Sequence, residues 1–148
     1  MTTDLNDDLV AKFEQRVGLL EEVLELAGRQ RKAVKEGKTA RLDRLIDRRE
    51  HAMRRWRKLE KAIGHELEAV RDVTPSDEQQ TRLRALIDSS EKHVKAIQRE
   101  DGLLAETIDT RHEAIATELD GLRRGRETLQ AYARDAGLGT RPGIDRNA

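Results

Sequence analysis

From Leu83 to Tyr132 one set of positions steps by four and three residues without a slip. The series is Leu83, Ile87, Ser90, Val94, Ile97, Asp101, Leu104, Ile108, Arg111, Ile115, Glu118, Leu122, Gly125, Leu129, Tyr132, and ten of the fifteen are apolar. A 3.5-residue repeat held this long marks a helix whose seam faces other helices. Two shorter patterns precede it. Val10, Phe13, Val17, Leu20, Leu24, Ala27, Arg31 and Val34 form the seam of a first helix over about residues 4–35. Leu42, Leu45, Ile46, Ala52, Met53, Trp56, Leu59, Ile63, Leu67 and Val70 mark a second over about 40–72, and the third spans about 75–133. The expected fold is all-α: an antiparallel three-helix bundle or coiled coil with a long third helix.

Local signals punctuate these helices. Asp4, Asp7 and Asp8 place negative charge in the first turns, where it complements the helix dipole. Gly37 suits the left-handed cap that ends a helix. Thr39 can cap the second helix. In Thr74-Pro75-Ser76-Asp77, Thr74 reads as the N-cap, Pro75 as the first helical position and Asp77 as the capping-box partner. Gly137-Leu138-Gly139-Thr140-Arg141-Pro142-Gly143 ends helical order. The expected organisation is one helical domain over 1–136 and a flexible tail over 137–148.

Length then becomes informative. At 1.5 Å per residue the first two helices are each roughly 50 Å long and the third roughly 90 Å. Short loops make neighbours antiparallel, so 75–107 can lie along the first two helices. Residues 108–133 would extend past their shared loop, with Ile108, Ile115, Leu119, Leu122, Leu129 and Tyr132 on one side. Such a stripe can dock on a partner, pair with a second copy, or fold back at Gly102, Gly121 or Gly125. Each of those glycines weakens a helix by ~1 kcal/mol relative to alanine.

Composition narrows the class. Charged residues are 39% of the 148 and aromatics 2%, so the interior must be built from Leu, Ile, Val and Ala. The 29 basic and 29 acidic side chains cancel, which gives no general attraction to nucleic acid or membrane. There is no cysteine, hence no disulfide or thiolate chemistry. The acidic N-terminus does not read as a signal peptide, and no apolar run reaches the ~18–20 residues of a membrane span. A cytoplasmic protein is expected.

Candidate chemistry is sparse. His51, His65, His93 and His112 do not recur at zinc spacing. Asp109 and His112 give one acid-x-x-His pair, where a di-iron bundle needs two plus further carboxylates. Gly137-Leu138-Gly139 neither follows a strand nor opens a helix, so a phosphate loop lacks its context. No catalytic residues, metal or cofactor are expected. The strongest competing signal is basic: Arg44, Arg48, Arg49, Arg54, Arg55, Arg57, Lys58 and Lys61 around Trp56. Within it, Arg48, Arg49, Arg54 and Arg55 are the candidate patch for an acidic partner or for phosphates. Asp43, Asp47, Glu50 and Glu60 dilute it, and Trp56 falls on the apolar stripe, which favours a solvated face.

Two stretches resemble the FlgN/FliT-type export chaperones of the bacterial flagellum. One is the first hairpin, Leu20-Glu21-Glu22-Val23-Leu24 followed by Leu42, Leu45-Ile46-Asp47-Arg48-Arg49-Glu50 and Leu59. The other runs from Ile97, Asp101, Leu104 and Ile108 through Glu118-Leu119-Asp120-Gly121-Leu122-Arg123-Arg124-Gly125-Arg126 to Ala131-Tyr132. The family looks like this near its C-terminus: leucines, a basic-glycine-basic step, then a tyrosine. Gln98-Arg99-Glu100-Asp101 stands where many members carry asparagines, so the subtype and its client stay open. The resemblance implies a cytoplasmic chaperone that holds a flagellar subunit and delivers it to the export apparatus. It also implies client binding through the last helix, here Ile115, Leu119, Leu122, Leu129 and Tyr132. A homo-oligomeric scaffold pairing through Ile108–Tyr132 and a basic nucleic-acid binder are the alternatives.

Overall fold

The computed structural model describes residues 2–135, with side chains from Asp7 onward. Three helices account for nearly all of them: α1 Thr2–Glu36, α2 Thr39–Ala69 and α3 Asp77–Asp135. The residues of the expected tail lie outside this range. No described helix is long and apolar enough to cross a membrane.

The α1–α2 turn is set by one glycine. Gly37 has φ 69°, a conformation in which a side chain would crowd the backbone. Its N–H donates to the Val34 carbonyl and the Lys38 N–H to the Ala33 carbonyl, the pair of bonds that closes a Schellman ending. Two expected caps differ from those observed. Lys38, not Thr39, precedes α2 and makes no side-chain capping bond. Ser76 rather than Thr74 caps α3: Gln79 N–H donates to Ser76 Oγ, and Ser76 N–H donates to Gln79 Oε1. Thr74 with Asp77 and Ser76 with Gln79 are both three residues apart. The box takes Glu or Gln at its far end, long enough to reach back to the cap N–H, and Gln79 supplies that side chain.

The chain divides into two compact units, Met1–Ile108 and Asp109–Ala148. In the first, side-chain pairs fix the register. Lys12 with Glu66, Arg16 with Glu60 and Glu22 with Arg55 run α1 antiparallel to α2. Glu14 with Arg82 and Arg31 with Glu100 run α1 parallel to α3, with partners 68 and 69 residues apart. At that offset Glu36, the last residue of α1, is level with about residue 105 of α3, just short of the end of the unit.

The core follows from this arrangement. Leu9, Phe13, Ile63, Val70 and Leu86 form one buried cluster drawn from all three helices, flanked by Val10, Val17, Leu59, Val73 and Leu83. Leu26, Ala33 and Leu45 form a second near the α1–α2 turn. The α1 face is shifted from the expected seam: Leu9, Phe13, Leu20, Val23, Leu26, Ala27 and Ala33 are buried, while Val10, Val17, Leu24 and Val34 are half-buried. A helix touching two neighbours buries a stripe wider than a two-strand seam. On α3 the inward line runs through Leu86 and Ser90, and Ile87 and Val94 of the expected seam are exposed. The helix continues through Gly102, Gly121 and Gly125.

Candidate functional site

The second unit contains the end of α3, and its described residues form no core. Between Asp109 and Asp135 none is buried, and only Asp120 and Ala133 are half-buried. Ile115, Leu119, Leu122, Leu129 and Tyr132 are spaced by four, three, seven and three residues, so they share one face of the helix. Leu119 is 61% exposed, Leu122 71%, Leu129 70% and Tyr132 73%. Isolated exposed leucines are ordinary on a protein surface, but a contiguous apolar row marks an interaction site.

Nearby polar groups are largely satisfied within the helix. Thr117 Oγ1 donates to the Glu113 carbonyl and Thr128 Oγ1 to the Arg124 carbonyl. Asp120 takes Arg124 at 2.7 Å and Arg123 at 3.8 Å. The glycines beside the row, Gly121 and Gly125, have open space where a Cβ would stand. The face therefore offers apolar area at a spot where a partner's backbone can come close, with Asp120 already paired to its neighbouring arginines. It suits a helix laid along it, recognised through anchors one turn apart.

The arginines expected as a basic patch are not held together as one. Arg49 turns to α3, making two bonds of 2.7 Å to the Asp101 carboxylate and one of 2.9 Å to Gln30 Oε1. This bidentate pair fills a polar position of the α3 seam, and Asp101 holds the Arg49 guanidinium above its ordinary pKa. Arg55 donates to Glu22 at 2.8 and 2.9 Å, and Arg54 lies 3.7 Å from Glu50. Only Arg48 of the four reaches no carboxylate among the described residues. Trp56 is half-buried with its indole N–H enclosed, which withholds it from stacking on a base. The spacing of arginines along α2 could not reveal the pairings of Arg49 and Arg55, because those partners lie on α3 and α1.

The Arg49 contacts have a measurable consequence. Arg49→Ala leaves Asp101 and the buried Gln30 without their donor, and is expected to lower unfolding free energy by about 1–2 kcal/mol. Arg54→Ala removes an exposed pair and should change it by less than about 0.5 kcal/mol. Urea midpoints of the two variants test this, and equal midpoints would refute it.

Among the described residues no group of three or more His, Asp or Glu side chains could hold a metal ion. His51, His65 and His112 are exposed, while His93 Nδ1 bonds the Ser89 carbonyl at 2.6 Å. Residues 1–140 match the family model described as FlgN protein. No curated protein and no solved structure matches the chain.

Proposed function

Because this chain belongs to the FlgN family of flagellar export chaperones, we propose that it binds an unassembled flagellar subunit through the end of α3. The client is a hook–filament junction, cap or filament protein. Ile115, Leu119, Leu122, Leu129 and Tyr132 form the binding face, with Leu122 and Leu129 as the central anchors. Binding in the cytoplasm covers the client segment that would otherwise drive premature assembly, and the complex is delivered to the export apparatus. The carrying observation is the exposed apolar row between Ile115 and Tyr132, in a segment without a buried residue of its own.

The mechanism is physical rather than covalent. Fully burying a leucine stabilises a complex by about 1.5–3 kcal/mol before ordering costs are subtracted. Several anchors on one helix therefore suffice for a complex that forms without chemistry and dissociates on handover. Capture of the tagged protein from its own cells, with mass spectrometry of the co-purified chains, tests the reading. A filament, cap or hook-junction subunit is expected. Recovery of nucleic acid, or of the protein alone, would overturn it.

A further inference from the structure

At the end of the bundle where α1 turns into α2, four guanidinium-bearing residues surround one concavity. Arg29, Arg41, Arg44 and Arg48 line about 240 Å³ over the buried side chain of Leu45. Arg41, Arg44 and Arg48 stand three and four residues apart, so they form one row on α2. Arg29 donates to Glu25 at 2.6 Å, but the three α2 arginines form no hydrogen bond or ion pair with a carboxylate among the described residues. Elsewhere in the same unit Arg16, Arg31, Arg49, Arg55 and Arg82 each meet a carboxylate of another helix. The nearby Glu36 is engaged by Lys38, and its carboxyl is held below the ordinary range first by that contact and further by the charges of Lys32 and Arg41. The first turn of α2 also contains no acidic residue and has no side-chain cap, so its dipole adds to the positive potential.

We propose that this row is a docking site for an acidic helical segment of a protein partner, separate from the apolar face of α3. The row from Arg41 to Arg48 spans roughly 10 Å, about two turns of the helix. It matches carboxylates one turn apart on a facing helix, each able to take a guanidinium in bidentate fashion. A nucleic-acid strand fits less well. It needs a continuous basic track and aromatic platforms. Here Asp43, Asp47 and Glu25 interrupt the surface, and Trp56 is half-buried. The site does not depend on what α3 binds.

The test is an NMR titration of the full chain that observes the arginine Nε–Hε groups. The probe is a short alanine-rich helical peptide with three glutamates spaced four and three apart. The expected result is shifts at Arg41, Arg44 and Arg48, with Arg31 and Arg49 unmoved. Binding should weaken by roughly tenfold or more in the Arg41→Glu/Arg44→Glu variant, and also on raising salt. Circular dichroism should show the variant's helicity and melting unchanged. Equal shifts from the same peptide carrying glutamines, or from inorganic phosphate, would overturn the proposal. So would displacement of the peptide by single-stranded RNA at lower concentration, or shifts spread over all exposed arginines.

Discussion

Replacing Leu122 and Leu129 together by Asp is expected to abolish capture of the flagellar client while the bundle melts where the wild type does. Both side chains are about 70% exposed, and neither belongs to the two core clusters. Removing two buried anchors from a complex forfeits about 3–6 kcal/mol, or two to four decades of affinity. Placing carboxylates against an apolar client face adds a desolvation penalty. In the free chain the change costs only the lower helix propensity of Asp, about 0.5 kcal/mol per site in a segment with no core to disrupt. The measurement is client binding by calorimetry beside a melt of the variant alone. Retained binding would remove these residues from the client face. A collapsed melt would make them part of the protein's own core.

Phe13→Ala should do the opposite, destabilising the bundle without touching the apolar row of α3. Phe13 is 4% exposed and packs in the cluster that joins Leu9 of α1, Ile63 of α2 and Leu86 of α3. The Arg16 guanidinium lies over its ring, 5.3 Å from the centroid. Deleting a buried phenylalanine ring costs about 3–5 kcal/mol, because the lost transfer energy is joined by the energy of the cavity left behind. For a unit of this size that lowers the melting temperature by roughly 10–20 °C. Phe13→Leu keeps most of the volume and should lose less than about 1.5 kcal/mol. A melt of Phe13→Ala within a few degrees of wild type would mean that this cluster does not hold the three helices together. Well below its melting point, Phe13→Ala should still bind client, in contrast to the double aspartate variant.

Much of the architecture is written in local pattern. The four-three repeat from Leu83 to Tyr132 is carried by a single helix, and Gly37 ends α1 in the left-handed conformation expected of it. The resemblance in the first hairpin and in Glu118–Arg126 is matched by the family to which the chain belongs. The caps of α2 and α3 were less legible. Thr39, Thr74 and Ser76 are all good cap residues, and propensity alone does not choose among them. At α3 the reciprocal bonds of Ser76 and Gln79 choose.

Sequence by itself determined the helices, their order and the apolar row at the end of α3, because each depends on residues within a few turns of one another. Tertiary structure decided which side of each helix turns inward. On α1 Phe13, Leu20 and Ala27 of the expected seam are buried, but Leu9, Val23 and Leu26 join them while Val10 and Val17 stay half-buried, since one helix must meet two neighbours. It also decided which charges stay free. Arg49 finds Asp101 at a separation of 52 residues and Arg55 finds Glu22 at 33, whereas Arg41, Arg44 and Arg48 form no ion pair among the described residues. Pairing across helices depends on register, and register comes from packing the whole core rather than from any one segment.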